Sequence, residues 1–430
     1  MNYLRMLLLT GIFLGGCAVN ASDVSGPIKV EIVPSGSGYQ LLRGGEPYLI
    51  KGAGMGDGDI ISFAAHGGNS IRNWGTENAQ QVLDAALASG VTVALCLGVK
   101  SERQGFDYDD DKAIVDQLER LRLDVLKYRD HPALLAWIIG NELNWNYSNS
   151  KVYDAVNDIS KMIHELDPNH PTTTTVAGFG ENVVFDLDTR APDLDIISFQ
   201  VYEGLKYLPD FVQEADLSRP VWITEWGAIG HWEVDATSWG APIEMNSSEK
   251  ARVYLESPGK FIEPLGNKVI GTYAFLWGQK QETTSTWFGL FTESGEETES
   301  VDAMHWHWNG EWPANRSPAL TSLQLDGKSA DQNIELTPGQ TYGATVEAAD
   351  PDGDELSYHW EIKPESNDRK QAGDFEANIN NIDGLIGDQG STSTHITTSD
   401  QPGPYRLFVY AYDGNNHAAH ANIPFLVKEQ

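Results

Sequence analysis

Glu142 and Glu225 each close a strongly apolar, β-prone run, in Trp137-Ile138-Ile139-Gly140-Asn141-Glu142 and Trp222-Ile223-Thr224-Glu225-Trp226-Gly227. Two carboxyl groups commonly break a glycosidic bond: one protonates the leaving oxygen while the other attacks or stabilises the oxocarbenium-like carbon. A glutamic acid that donates a proton at neutral pH needs apolar surroundings or a neighbouring anion. Trp137, Leu143 and Trp145 flank Glu142. The attacking carboxylate needs the opposite setting, a cation or hydrogen-bond donors, and Arg72 and Tyr202 are candidates for that role.

Aromatic and polar residues around the pair suit a sugar. Trp74, Trp145, Trp226, Trp232 and Trp277 stand where strands should end, and indole stacks on the CH faces of sugar rings. Trp145 and Trp277 are expected against substrate, Trp306, Trp308 and Trp312 in packing. The loop from Trp277 to Gly289 carries Gln279, Lys280 and Glu282, which can recognise hydroxyls. His305-Trp306-His307 would bring two imidazoles to one side of a strand. No carboxylate or cysteine accompanies them at a ligand spacing, so no catalytic metal is expected. Cys96, inside the apolar run Val91 to Val99, reads as a small buried hydrophobe and not a nucleophile.

These residues must be held by a scaffold, and the chain supplies a repeating one. Eight β-like runs are legible: Tyr48 to Ala53, Ser70 to Trp74, Val91 to Val99, Leu134 to Gly140, Thr172 to Ala177, Ile196 to Tyr202, Val221 to Glu225 and Val269 to Trp277. Helical patterns stand at Asn78 to Ala88, Lys112 to Tyr128, Lys151 to Leu166 and Glu249 to Phe261. Continuous apolar strands alternating with helices predict a parallel sheet covered on its faces, and eight of them an α/β fold of the (β/α)8 barrel type. Residues at the C-terminal ends of barrel strands build the active site, which is where Glu142 and Glu225 would fall. Ahead of the barrel, Ile28 to Val33 and Gly38 to Leu42 predict a hairpin that plugs its bottom.

With the pair placed after the fourth and seventh runs, the chain resembles clan A glycoside hydrolases, and its flanking residues are closest to the barrels of families 2 and 5. The resemblance spans about residues 40 to 312. It implies Glu142 as acid/base, Glu225 as the nucleophile of a retaining double displacement, and Asn141 as the partner of the sugar 2-hydroxyl. It further implies Arg72 beside the nucleophile keeping it ionised, Tyr202 donating to it, and Trp277 as the floor under the attacked sugar. Trp74, Trp145, Gln279 and Glu282 complete the expected substrate-binding set. Gln200 departs from the pattern, standing where several clan members carry Asn.

The remainder of the chain bounds the setting. Among its 430 residues, a formal charge of −33 argues against nucleic acid or another polyanion as partner and favours a neutral polymer. Arg5, the apolar run Met6 to Phe13 and Leu14-Gly15-Gly16-Cys17 resemble a bacterial lipoprotein signal with its lipobox. That implies lipidation at Cys17 and an anchor at the outer membrane or cell surface. After Trp312-Pro313 the composition turns to alternating segments split by Gly, Asp, Asn and Pro, which predicts an all-β sandwich. There Asp350-Pro351-Asp352-Gly353-Asp354 resembles a turn of PKD-like or cadherin-like Ig modules, in which Asp350, Asp352 and Asp354 would hold Ca²⁺ or form a plain acidic turn. The expected parts are a signal at 1–17, a hairpin at 25–47, a catalytic barrel at 48–315 and an Ig-like sandwich at 318–430. The whole reads as a monomeric, cofactor-free retaining β-glycoside hydrolase acting on a neutral extracellular polysaccharide, with β-1,3-glucan slightly ahead of β-mannan and β-galactan. A transglycosylase using the same residues, or a surface glycan-binding lipoprotein without activity, are the alternatives.

Overall fold

The computed structural model describes residues 26–215, 217–370 and 373–429, so the lipidation expected at Cys17 lies outside the described residues. A hairpin comes first, β1 (Val30–Ser35) and β2 (Gly38–Arg43), with β3 (Glu46–Pro47) added to its edge. Strands and helices then alternate: β4 (Gly52–Gly54), α1 (Ile60–Ala65), β5 (Ser70–Arg72), α2 (Ala79–Ala88), β6 (Thr92–Leu97), α3 (Asp111–Tyr128), β7 (Leu134–Ile139) and α4 (Lys151–Leu166). The series continues with β8 (Thr172–Ala177), α5 (Glu181–Arg190), β9 (Ile196–Gln200), α6 (Leu208–Glu214), β10 (Val221–Gly227), α7 (Ser247–Ser257), β11 (Val269–Phe275) and α8 (Glu299–Asn309). Strands β4 to β11 are parallel neighbours in chain order, and β11 pairs back onto β4 to close the barrel.

Burial on both faces explains why these strands read as continuous apolar runs. Along β6 and β7, Ala94, Cys96 and Ile138 pack inside the barrel, while Leu95, Leu97, Trp137 and Ile139 pack outward against the helices. Helix α4 answers with Val152, Val156, Ile159 and Ile163 on its buried face, the i, i+4, i+7 spacing of an amphipathic helix. The sequence patterns did not reveal α1, α5, α6 and α8. The first and third of these are short, and α5 buries only Val184 and Leu187. The expectation that His305-Trp306-His307 is a strand is corrected: it lies in α8, where Val301, Met304 and Trp308 form the buried side.

The hairpin does cover the barrel bottom. It bonds to segments just ahead of four barrel strands: Arg43 Nη2 to Pro132 O at 2.8 Å, Val30 N to Asn169 O at 2.7 Å, Tyr39 Oη to Ser218 O at 3.0 Å, and Asn267 Nδ2 to Ser35 O at 3.4 Å. The open end of the barrel is thus the end at which the strands terminate.

A β-sandwich follows, built from β12 (Ala319–Leu325), β13 (Ile334–Leu336), β14 (Thr341–Ala349), β15 (Ser357–Pro364), β16 (Ser393–Thr397), β17 (Gly403–Tyr412) and β18 (Ala418–Val427). One sheet has the order β12-β14-β16, the other β13-β18-β17-β15. Trp360, Ile362, Leu407, Val409, Ile423 and Phe425 form its core. A buried polar network joins it to the barrel. Glu244 pairs with Lys250 and accepts from Thr286 Oγ1 at 2.8 Å, Thr284 Oγ1 at 2.6 Å and Asn422 Nδ2 at 2.6 Å. From β17, Arg406 donates to Pro242 O at 2.8 Å, Asn422 Oδ1 at 2.6 Å and Glu365 Oε1 at 2.7 Å.

Candidate active site

Four donors converge on the Glu225 carboxylate. Oε1 accepts from Arg72 Nη1 at 2.8 Å, Gln200 Nε2 at 2.9 Å and Trp74 Nε1 at 3.1 Å; Oε2 accepts from Tyr202 Oη at 2.8 Å. Arg72 ends β5 with its side chain inside the barrel, fully buried, and its guanidinium also lies 4.7 Å from the Trp74 ring centre. Two-residue alternation alone would turn Glu225 away from this cluster, because Trp222 points into the barrel. A β-bulge between Ile223 and Glu225 against β9 adds a residue and brings Glu225 back to the inner side. Bulges often re-aim a side chain beside an active site in this way.

Asn141 and Glu142 sit one turn past β7. Gly140 and Glu142 both take the left-handed backbone, with φ of 73° and 48°. For a glutamate this region is disfavoured, and such strain collects at functional sites where neighbours enforce it. Here the Glu142 N–H donates to Thr175 O at 3.1 Å, at the end of β8. Asn141 Oδ1 accepts from Arg72 Nη2 at 2.8 Å, Gln200 Nε2 at 2.9 Å and Thr175 Oγ1 at 3.2 Å. Three donors on the oxygen leave the amide nitrogen as the end able to donate to a ligand. Burial, and then the charge of Glu225, push the Glu142 carboxyl up to about 8; Glu282 adds to this, while Arg72 and Arg103 oppose it. One carboxyl group is therefore held as an acid, and the other is surrounded by donors.

A cavity of about 580 Å³ is lined by Trp74, Asn141, Glu142, Tyr202, Glu225 and Phe275, together with Gln279, Lys280 and Glu282. Gln279 Nε2 is tied to Ser285 O at 2.8 Å, and Lys280 Nζ lies 2.7 Å from Glu282. Burial works to raise the Glu282 carboxyl, but His231 and Lys280 outweigh it and hold Glu282 below the usual range. A second cavity of about 600 Å³ adjoins the first and contains Trp145 together with Glu142, Tyr202 and Trp232.

Two tryptophans expected near sugar are elsewhere. Trp277 is fully buried against Phe63, Trp308 and Phe291, behind the barrel wall. The eighth barrel strand ends at Phe275, and Phe275 takes the floor position, edge-on to Trp74 and Tyr202 at 5.7 and 5.9 Å between ring centres. Trp226 is likewise buried, against Tyr254. Trp232, one of the tryptophans placed at a strand end by the sequence, does line both cavities, whereas Phe275 and the donor role of Gln200 carry no mark in the sequence motifs. Period-two alternation from Tyr273, whose hydroxyl meets Ser70 Oγ inside the barrel at 3.1 Å, is the signal that would have pointed to Phe275.

Other candidate groups fall outside the cleft. Cys96 is buried inside the barrel, and burial pushes its thiol up to about 11. His307 Nε2 is directed at the Tyr254 and Leu255 carbonyls, and His305 Nδ1 meets His66 Nδ1 at 3.0 Å. In the acidic turn between β14 and β15, Asp350 Oδ1 accepts from the Asp352 and Asp354 N–H groups at 2.8 and 3.1 Å, as an acidic turn does. The acidic group that does come together is Asp350, Asp354 and Asp413, with one oxygen from each within 4.8 Å of the others. Asp352 is instead bonded to the Arg316 N–H at 2.7 Å. Among the described residues, no helix is long and apolar enough to cross a membrane.

Comparison with known proteins agrees with this architecture. No family model matches the chain. It is 34% identical over 93 residues to mannan endo-1,4-beta-mannosidase F of Aspergillus clavatus, a match covering 18% of this chain and 21% of that protein. Its fold is similar to the β-glucuronidase of Bifidobacterium dentium solved with coumarin-3-O-glucuronide, at TM-score 0.52 and 18% identity over 66% of this chain and 49% of that one. It is also similar to the β-D-glucuronidase of Dictyoglomus thermophilum, at TM-score 0.51 and 17% identity over 67% and 54%. The chain thus spans about a fifth of the length of the curated relative and about half that of the solved structures. What the chain shares with these solved structures is the fold, a (β/α)8 barrel, here followed by a β-sandwich.

Proposed function

We propose that the protein is a retaining β-glycoside hydrolase that cleaves a neutral, β-linked polysaccharide, with Glu142 as acid/base and Glu225 as nucleophile. The observation that carries this reading is the opposite treatment of two carboxyl groups in one cleft. Glu142 is pushed up to about 8, while Glu225 meets Arg72, Trp74, Gln200 and Tyr202. Glu142 protonates the departing oxygen as Glu225 attacks the anomeric carbon; Glu142 then removes a proton from the water that releases the sugar. Asn141 donates to the 2-hydroxyl, and Tyr202 orients the attacking carboxylate.

A neutral sugar is favoured because the cations near the first cavity already have anionic partners: Lys280 pairs with Glu282 at 2.7 Å and Arg103 with Asp374 at 2.7 Å. β-1,3-Glucan and β-1,4-mannan, the latter the polymer in the curated relative's name, are the first substrates to test. Reducing-sugar release, product sizing and the anomer first formed, read by proton NMR, check the reaction. Release of the β-anomer and loss of turnover by several orders of magnitude in Glu225→Gln are expected. Unchanged hydrolysis by that variant overturns the mechanism. The Leu14-Gly15-Gly16-Cys17 motif supports action at a membrane surface outside the cytoplasm. Labelled fatty acid should then enter the chain, and Cys17→Ala should prevent it.

A further inference from the structure

We propose that the second cavity receives the leaving group and that the C-terminal sandwich completes it, with Arg369 and Lys370 selecting a neutral saccharide there. This rests on the roles assigned to Glu142 and Glu225. The two cavities share Glu142, Tyr202 and Trp232. Glu225 and Asn141 belong only to the first, while Trp145, Phe179, Arg369 and Lys370 belong only to the second. The attacked carbon must touch the nucleophile, so its ring occupies the first cavity. The acid must touch the oxygen that departs, and that oxygen carries the other half of the substrate away from the nucleophile. A cavity that contains the acid but not the nucleophile is where that half sits.

Its walls are built for a polyhydroxylated ring. Trp145, Phe179 and Trp232 offer aromatic surface, and Trp232 remains 54% exposed. Arg369 and Lys370 offer donors for hydroxyls. Their charge is balanced by acids: Glu365, shared with Arg406, stands 3.6 Å from Arg369, Asp368 pairs with Lys370, and Glu233 lines the same cavity. That balance disfavours a carboxylated leaving group. The sandwich residues are fixed against the barrel from several sides. Arg103 grips Asp374 through two bonds of 2.7 and 3.0 Å, and Lys280 Nζ donates to Gly373 O at 2.8 Å. Glu376 accepts the Thr283 and Lys370 N–H groups at 2.8 Å each, and Arg369 Nη1 donates to Gly240 O at 3.1 Å. The cleft is therefore an interdomain site, and residues far from the catalytic motifs set which chains can leave.

The test uses the full chain and the double variant Arg369→Ala/Lys370→Ala, both side chains being partly exposed so that the fold should tolerate their loss. The first measurement is kcat/KM for laminarihexaose or mannohexaose, whichever is cleaved, relative to the 2,4-dinitrophenyl glycoside of the same sugar, whose leaving group needs little help. The ratio should fall at least tenfold. An unchanged ratio, whether both substrates suffer equally or neither does, overturns the proposal. The second measurement does not need turnover: titration calorimetry of laminaritriose and mannotriose into Glu225→Gln protein. One triose should bind, at least tenfold more weakly when Arg369 and Lys370 are also replaced; no binding, or equal binding, overturns the proposal. Failure of all hydrolysis with binding intact would instead remove the proposed function.

Discussion

At the scale of single residues, the site depends on keeping one proton. In the proposed role Glu142 must be protonated to act, and burial and Glu225 both disfavour its charge and push its carboxyl up to about 8. Below that pH the acid is in place, and above it the proton is lost, so kcat/KM on a polysaccharide should fall as pH rises through about 8. Glu282 adds to the upward push. Glu282→Gln should therefore move the basic limb of the pH profile to lower pH, and a limb that stays put would show that another group controls it. The meeting of Glu142, Glu225, Arg72 and Tyr202 in one cleft was legible because carboxylates closing apolar runs have few structural uses. Phe275 was not, since its place as the cleft floor depends on where β11 stops.

At the scale of elements, strand ends and their irregularities aim the chemistry. The bulge in β10 sets Glu225, and the left-handed turn after β7 sets Glu142. Gly140 has φ of 73°, and a Cβ there would lie 2.8 Å from the Leu143 side chain. Gly140→Ala should cost more than about 1 kcal/mol and lower kcat by displacing Glu142, which thermal unfolding and kinetics on the same preparation would read together. Runs such as Leu134 to Gly140 announce strands through length and apolarity alone. Bulges and the short helices α1 and α6 do not, because tertiary packing selects them over local preference.

At the scale of the whole molecule, a buried polar cluster and a partly buried one tie sandwich to barrel. Replacing Arg406 by Ala removes the bond to Pro242 O and leaves the buried Glu365 with only Arg369 at 3.6 Å, which should cost about 3 kcal/mol. Denaturant melts would measure it. The second cluster responds to pH. Burial would lower the His417 imidazole, but its bond to Glu297 and nearby acids prevail and push it up to about 9 from 6.5. Its pairing is therefore fully stabilising below about pH 6.5 and is lost as pH rises through 9, a change on the order of 3 kcal/mol at most. The melting temperature should fall across that window, and His417→Asn should flatten the fall.

By itself the sequence determined the barrel, the β character of the last hundred or so residues, and the two glutamates with their arginine and tyrosine. Each of these is written in local pattern: apolar runs, breakers, and charged groups where strands end. Tertiary structure decided which aromatic ring floors the cleft, that Trp277 belongs to the packing layer, and that Arg369, Lys370 and Gly373 of the sandwich reach the site. Nothing local marks those three residues, because their placement follows from the docking of one domain on another, and docking is set by buried contacts such as Arg406 with Pro242 O and Asn422 with Glu244.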